Sequence, residues 1–216
     1  MTATTVNVKF YFKNILYALL GVVVAVIGIV AVGFWGDYFE LHPIYRTIAL
    51  SGSIGIDLYG AIVPIIIAII SAALFIKNMK AYAKKFTASF LLSFVLAFVL
   101  CHPTDEGLSG APLLFALVTS SVVTAVIVYP KPFAELKKDF FFSLLLNLIC
   151  VPLSLLLVDV VYLPYFGSSV IGGDGFSDGV LLSTLYTPFS VTVVFSALVY
   201  LSQIVRLVRK NRIPIH

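Results

Sequence analysis

The chain has 216 residues, of which 61% are hydrophobic and only 11% are charged, and its mean hydropathy is +1.09. A soluble globular domain carries roughly 25% charged residues. The composition therefore excludes a soluble domain and predicts an all-α integral membrane protein. The net charge of +4 does not indicate a nucleic-acid partner, because the basic residues gather on one side of the predicted spans.

Six apolar segments are candidates for transmembrane helices, since a bilayer core of about 30 Å requires roughly 20 apolar residues per helix. The first segment is too long for the apolar core of a signal peptide, so we expect it to be a retained span. Together the segments predict a single transmembrane bundle over residues 1–216. The predicted spans are 15–36, 58–76, 86–101, 112–129, 140–163 and 180–205.

The basic residues predict the orientation of these spans. Thirteen of the 14 Lys and Arg residues precede the first span, follow the sixth, or lie between spans two and three or four and five. Arg46 is the remaining one, and it falls on the opposite side. Because positive residues concentrate on the cytoplasmic side, both termini are predicted to be cytoplasmic. We expect a multi-pass protein of the cell membrane, with the lipid bilayer as its first partner.

Small residues line one face of the first predicted span. Gly21, Ala25 and Gly28 follow one another at helical spacing. Such a stripe lets a second helix approach closely in lipid. It is therefore a candidate face for a homo-oligomer or for a partner in a membrane complex.

Ionisable side chains recur at the ends of four predicted spans on the outer side. Asp57 begins the second span, His102 closes the third, Asp159 lies near the end of the fifth, and Asp178 precedes the sixth. Asp174 lies in the glycine-rich connection before Asp178. A six-helix bundle can bring such groups together at one depth. Asp159 and Asp178 are the candidate catalytic residues, and Asp57, His102 and Asp174 are candidate binding residues.

Asp159 is the most informative of these residues, because apolar residues flank it on both sides. A charged group at membrane depth is costly and normally has a partner or a task. Two carboxylates that share a proton can act as base on water and as acid toward a carbonyl. Asp159 and Asp178 therefore indicate an intramembrane aspartyl-type hydrolase.

Two other functions use the same residues. In an ion- or proton-coupled transporter the outer acids would bind or relay the cation, with Asp57 and His102 as further ligands. In a structural subunit of a membrane complex, Asp159 would cap a helix end or pair with Arg46. The sequence leaves these three classes open.

Other chemical signatures are incomplete. The segment 175–179, "GFSDG", matches G-x-S-x-G, but the strand-turn-helix context and a following histidine are missing. The chain has no H-E-x-x-H motif, and Cys101 and Cys150 lie in separate apolar runs, where they are expected to be buried. We predict no metal and no cofactor.

The segment 168–185, "SSVIGGDGFSDGVLLSTL", resembles a family of uncharacterised archaeal and bacterial multi-pass membrane proteins with the signature S-I-G-G-A-G-x-x-D-G-I-x-L. Asp174 stands where the family has alanine, so the resemblance favours Asp178 as the functional carboxylate. The family also tends to have an aspartate near the end of the preceding span, which Asp159 would match. The resemblance implies a multi-pass fold and no particular activity. The matching residues are Ile171, Gly172, Gly173, Gly175, Asp178, Gly179 and Leu182.

A second family stretch, N-x-G-G-A-x-x-P, is similar to residues 55–64, "GIDLYGAIVP", at Gly60, Ala61 and Pro64. There is also a looser likeness to presenilin-type intramembrane aspartyl proteases, which carry one aspartate in a Tyr-Asp pair and another in G-x-G-D. Val158 replaces that tyrosine, Ile171 replaces the first glycine, and the family's Pro-Ala-Leu element is absent. This likeness implies aspartyl hydrolysis within the membrane.

Overall fold

A computed structural model of the chain describes residues 47–51, 54–104, 107–109, 111–128, 136–165, 170–172 and 178–211. The predicted first span, 15–36, and its Gly21/Ala25/Gly28 stripe lie outside these residues. Asp174 and Arg46 also lie outside them.

Five α-helices form most of the described structure. A π-helical segment, Leu58–Ile62, leads into the first, and a 3-10 turn, Ile76–Asn78, follows it. A second 3-10 turn, Leu163–Tyr165, follows the fourth. The helices are α1 (Val63–Phe75), α2 (Met79–Leu100), α3 (Pro112–Val128), α4 (Leu136–Tyr162) and α5 (Gly179–Asn211).

Four helical segments in this part of the chain are long and apolar enough to cross a membrane. They coincide with the second, third, fifth and sixth predicted spans. The fourth predicted span, 112–129, corresponds to α3, which is apolar but shorter. The four segments are Leu58–Asn78, Lys80–Leu100, Lys138–Tyr162 and Gly179–Ser202.

The third predicted span, 86–101, was too short. Helix α2 begins at Met79, so Lys80, Lys84 and Lys85 lie on its first turns and not in a loop. Lysine is a good helix former, and its long apolar stem can lie along a helix while the amine reaches a polar group. Lys80 and Lys84 are exposed, whereas the Lys85 amine donates a hydrogen bond to the carbonyl oxygen of Ile127 near the end of α3.

Short β-strands occur in the connections between the helices. The predicted all-α class therefore describes the helices but not the whole fold. β1 (Thr47–Ser51) pairs antiparallel with β2 (Ile54–Asp57), and β2 pairs in parallel with β5 (Val170–Ile171). β3 (His102–Thr104) and β4 (Gly107–Ser109) form an antiparallel hairpin. Strand pairing supplies partners for backbone N–H and C=O groups where the chain leaves a helix.

Helix α4 lies at the centre of the described bundle, in contact with α1, α2, α3 and α5. Helices α1, α3 and α5 begin at the end where Asp57 and Asp178 lie, which we call the aspartate end. Helices α2 and α4 begin at the opposite end, near Lys85 and Lys138, which we call the lysine end. Near the lysine end, Phe75 of α1 and Tyr82 of α2 pack edge-on against Phe142 of α4, with ring centroids 5.6 and 4.9 Å from that of Phe142.

The helices place apolar side chains outside and many polar ones inside. Bulky aliphatic residues are exposed along the outer faces of α1 and α2, while serine, threonine and asparagine side chains of α2 to α5 are buried. The interior also contains a hydrophobic core, and the exposure of so many apolar side chains is typical of helices surrounded by lipid. The exposed residues of α1 and α2 include Ile66, Ile69, Ile70, Leu74, Leu91, Leu92, Val95 and Val99.

Candidate functional site

Asp57 forms the junction between β2 and the first helix. Its Oδ1 atom accepts hydrogen bonds from the backbone N–H groups of Tyr59 (2.8 Å) and Gly60 (2.9 Å). The first N–H groups of a helix have no partner within the helix, and an aspartate at the N-cap position supplies one. Asp57 is completely buried. The residue predicted as a cation ligand therefore uses one carboxylate oxygen to begin a helix.

Asp178 has the same relation to α5. Its Oδ1 atom accepts from the N–H groups of Val180 (2.7 Å) and Leu181 (3.4 Å), and its carbonyl oxygen accepts from the N–H of Leu182 (3.0 Å). The side chain is only 8% exposed. Two buried aspartates thus cap two helices at the same end of the bundle.

Asp159 lies in the last turn of α4 and contacts the connection that follows. Its Oδ2 atom accepts a hydrogen bond of 2.7 Å from the backbone N–H of Gly172. Gly172 has a φ of 69°, in the left-handed region that favours glycine. Asp159 is 4% exposed, so this carboxylate is buried where α4 meets the end of β5.

Two glycines bring the three aspartates together. A Cβ atom built at Gly60 would lie 2.2 Å from the carbonyl oxygen of Gly172 and 2.8 Å from the carboxyl carbon of Asp178. A Cβ atom at Gly172 would lie 2.6 Å from the carbonyl carbon of Gly60. Gly60 also donates its N–H to Asp57, and Gly172 donates its N–H to Asp159. The backbones of Gly60 and Gly172 therefore connect the carboxylates of α1, α4 and α5 at one place.

Asp159 and Asp178 line a common cavity of about 20 Å³ at the aspartate end. A buried water molecule requires a cavity of roughly 10–15 Å³, so this cavity has room for about one water molecule or one ion. Its other polar side chain is Ser183, whose hydroxyl donates to the carbonyl oxygen of Pro112 (3.3 Å). Asp57 is not among the lining residues. Two of the predicted site residues thus share the cavity, and the third supports the helix beside it.

The remaining walls of the cavity are mostly apolar. Phe115, Leu155 and Cys101 contribute to them. Burial raises the pKa of the Cys101 thiol to about 11. The thiol is therefore protonated at neutral pH and behaves as a small apolar group, not as a charged ligand.

The structure does not extend the site to the other two candidates. The backbone of His102 lies in β3 opposite Ser109, and its side chain is outside the described part of the chain, as is the whole of Asp174. Within the described ranges, no group of three or more His, Cys, Asp or Glu residues is placed to hold a metal ion.

Ser183 and Cys101 line the cavity without having been predicted as site residues, although both lie near predicted ones in the sequence. Ser183 follows Asp178 by five residues, which places it about one turn into α5. Cys101 precedes His102 directly. A search for polar residues one turn inside each aspartate-capped helix would have found Ser183.

Comparison of the chain with protein-family models, with curated proteins and with solved structures gave no significant match.

Proposed function

We propose that this chain is a multi-pass membrane protein of the transporter class, in which Asp159 and Asp178 bind a small monovalent cation, a proton or a metal ion such as Na⁺. The observation that carries the proposal is the common cavity. Two acidic side chains from different helices, at most 8% exposed, line a space of about 20 Å³. That volume suits one small ion or water.

The electrostatics of the cavity favour a cation. Two ionised carboxylates beside one cavity repel each other, and each loses hydration on burial. A shared proton or a bound metal ion would offset both the repulsion between the carboxylates and the loss of their hydration. The hydrogen bonds from Gly172 to Asp159 and from Val180 to Asp178 hold the carboxylates in place beside the cavity.

The proposal includes six spans with cytoplasmic termini. It adds the apolar segment 15–36 and helix α3 to the four long apolar helices. The distribution of Lys and Arg supports this orientation, because it places the lysine end at the cytoplasm and the aspartate end outside.

An intramembrane aspartyl hydrolase is less well supported by the same geometry. A peptide bond and its flanking residues need a cleft much larger than about 20 Å³. A structural role draws support from the backbone hydrogen bonds, since Asp57 and Asp178 cap helices and Asp159 holds Gly172.

Conservative substitutions of the aspartates distinguish these functions. In Asp159→Asn and Asp178→Asn the amide oxygen can still accept the backbone hydrogen bonds, whereas the negative charge is lost. We expect both variants to remain folded and to lose cation binding by roughly tenfold or more, the effect of about 1.4 kcal/mol. The measurement is calorimetric titration of the purified protein with Na⁺ at several pH values, together with proton release on binding.

Asp57→Asn is the matched control, because Asp57 is equally buried but does not line the cavity. It should bind the cation as the wild type does. If Asp159→Asn and Asp178→Asn also bind normally, or if the wild type binds neither Na⁺ nor protons in the cavity, the proposal is wrong and the structural role is favoured. Cleavage of membrane peptides that requires both aspartates would instead support the hydrolase.

A further inference from the structure

Beyond the cavity, the interior of the described bundle contains side-chain oxygen atoms without a hydrogen-bond partner, although the Asn147 amide nitrogen donates to the carbonyl oxygen of Ser143 (2.8 Å). Among the residues that the structure describes, seven neutral side chains are 0% exposed and have a buried oxygen atom that makes no hydrogen bond. We call them the interior polar cluster. They are Ser89, Thr119, Ser120, Thr124, Ser143, Asn147 and Ser190.

These groups differ from their satisfied neighbours on the same helices. A serine or threonine inside a helix commonly donates to the carbonyl oxygen four residues earlier. Ser93, Thr184 and Thr187 do so at 2.7, 2.7 and 2.8 Å. Burying an unpaired hydroxyl opposes folding, so several such groups in one region indicate that they contact something other than the protein.

Four members of the cluster lie at a similar depth, one on each of α2, α3, α4 and α5. Each of the four is 12 residues from a residue that lines the cavity: Ser89 from Cys101, Thr124 from Pro112, Asn147 from Asp159 and Ser190 from Asp178. At about 1.5 Å per residue, 12 residues of helix span about 18 Å, near the middle of a bilayer. Since α3 and α4 contact each other and both contact α2 and α5, these polar groups come from four helices of one core.

Polar groups also join the cluster to both ends of the bundle. Toward the aspartate end, the cluster members Thr119 and Ser120 are buried on α3, and Ser183 and Thr187 are buried on α5 between Ser190 and Asp178. These residues lie between the middle of the bundle and the cavity at Asp159 and Asp178.

Toward the lysine end of α4, Asp139 precedes Ser143 by four residues, which is about one helical turn. Asp139 is close enough to Lys85 for a favourable electrostatic interaction. Lys85 also donates to the carbonyl oxygen of Ile127, three residues beyond Thr124. Charged groups thus lie just past the last polar residues of the cluster.

We propose that the interior polar cluster lines a hydrated path by which the cation bound at Asp159 and Asp178 crosses the bundle, and that Lys85 and Asp139 close the path at the lysine end. The inference rests on the proposed function. Hydroxyl groups both donate and accept hydrogen bonds, so they can hold a chain of waters that carries protons, and their oxygens can coordinate Na⁺. Because the cluster is neutral, it offers a cation weak sites from which it can leave, as conduction requires.

Thiol accessibility tests whether the cluster is hydrated. Thr124→Cys, Asn147→Cys and Ser190→Cys would be compared with Val123→Cys, Leu146→Cys and Val191→Cys. The control residues are adjacent and apolar, and like the polar ones they are 0% exposed. The background is the chain with Cys101→Ala and Cys150→Ala, and the probe is 2-aminoethyl methanethiosulfonate added to proteoliposomes.

We expect the three polar positions to react roughly tenfold faster than their neighbours, because thiol reactivity requires access of the thiolate to water. Equal, low reactivity at all six positions would mean a dry core and would overturn the path. Equal, high reactivity would indicate general opening of the bundle and would also overturn it.

Flux measurements separate the failure of the path from the failure of the proposed function. In Thr124→Val, cation binding at the cavity should persist while flux through proteoliposomes is lost, and Thr124→Ser should restore flux because it retains a hydroxyl. A pH-sensitive dye in Na⁺-free buffer reports protons, and ²²Na⁺ uptake reports sodium. Wild-type flux in Thr124→Val contradicts the path alone, whereas a wild type that neither binds nor transports either ion contradicts the proposed function.

Discussion

At the scale of single residues, Gly60 and Gly172 determine whether the aspartates can meet. The backbone of Gly60 lies so close to Gly172 and Asp178 that even one methyl group has no room. Gly172 additionally adopts a positive φ, which disfavours any residue with a side chain. The carboxylates at the aspartate end therefore depend on two residues that carry no functional group.

Substitution of Gly60 by alanine should destabilise the protein. The new Cβ atom would lie 2.2 Å from a backbone oxygen, which cannot move without displacing β5. Overpacking of this kind costs about 1–3 kcal/mol, and we expect a correspondingly lower Tm in detergent by differential scanning fluorimetry. Ala73→Val, which adds two methyl groups to an exposed position of α1, is the control and should leave the Tm nearly unchanged. A Gly60→Ala protein as stable as the wild type would contradict this close contact.

The roles of the aspartates differ in how far they can be predicted. Asp57 and Asp178 each stand directly before a helical apolar run, and an aspartate in that position is a recognised N-cap signal. Asp159 accepts its hydrogen bond from Gly172, 13 residues later, and the geometry of that connection is not written in local sequence patterns. Local sequence is therefore sufficient to indicate capping by Asp57 and Asp178, although only Asp159 was predicted to cap a helix; the contact of Asp159 with Gly172 requires the folded connection.

At the scale of secondary-structure elements, α2 and α3 are joined at the lysine end by Lys85. Its amine donates to the carbonyl oxygen of Ile127 and lies 5.7 Å from the ring centroid of Tyr82. The carbonyl groups in the last turn of a helix have no partner within the helix and carry partial negative charge, so a lysine amine is a favourable partner for them.

Replacement of Lys85 by methionine should therefore weaken the contact between α2 and α3. Methionine keeps the apolar stem but removes the donor and the charge, and a charge–dipole contact at a helix end is worth about 0.3–1 kcal/mol. We expect a small but measurable decrease in Tm. Lys84→Met removes the same charge from an exposed neighbour and should have no effect. Equal effects of the two substitutions would show that only the net charge matters.

Apolar runs predicted the positions of the helices well because a membrane helix needs a long, uninterrupted run of such residues. The predicted third span begins too late because Lys80, Lys84 and Lys85 precede its apolar run, although lysine side chains are compatible with a helix end in a membrane. The strands were missed for a different reason. β5 contains only Val170 and Ile171, and its existence depends on pairing with β2, which lies more than 110 residues earlier.

At the scale of the whole molecule, the described helices place Asp57, Asp159 and Asp178 at one end and Lys85 and Lys138 at the other, where Asp139 also lies. The alternation of helix direction follows from the short connections, and the sequence predicted it from charge alone. Which helices are neighbours could not be predicted, since a stripe of small residues indicates a contact face on a helix but does not identify the helix that packs against it. Asp159 and Asn147 are buried because they lie on α4, which is at the centre of the described helices.

The proposed orientation can be checked with reporter fusions. Green fluorescent protein attached after His216 should fluoresce, because it folds only on the cytoplasmic side in bacteria. Alkaline phosphatase inserted between Asp105 and Glu106 should be active, since that connection is proposed to face outward. Insertion between Lys131 and Pro132, in the connection proposed to be cytoplasmic, is the control and should leave the enzyme inactive. The opposite pattern would reverse the orientation.

The contact between Gly60 and Gly172 also has a consequence for the synthesis of the protein. The two residues are 112 positions apart, and a ribosome adds about 5–20 residues per second, so Gly60 is made roughly 5–20 s before Gly172. During that interval β2 has no β5 to pair with, and the aspartate end is incomplete. A chain interrupted before Gly172 would expose this end to proteases and chaperones of the membrane. Because Asp178 and α5 follow Gly172 in the chain, the aspartate end is completed only after α5 has also been made.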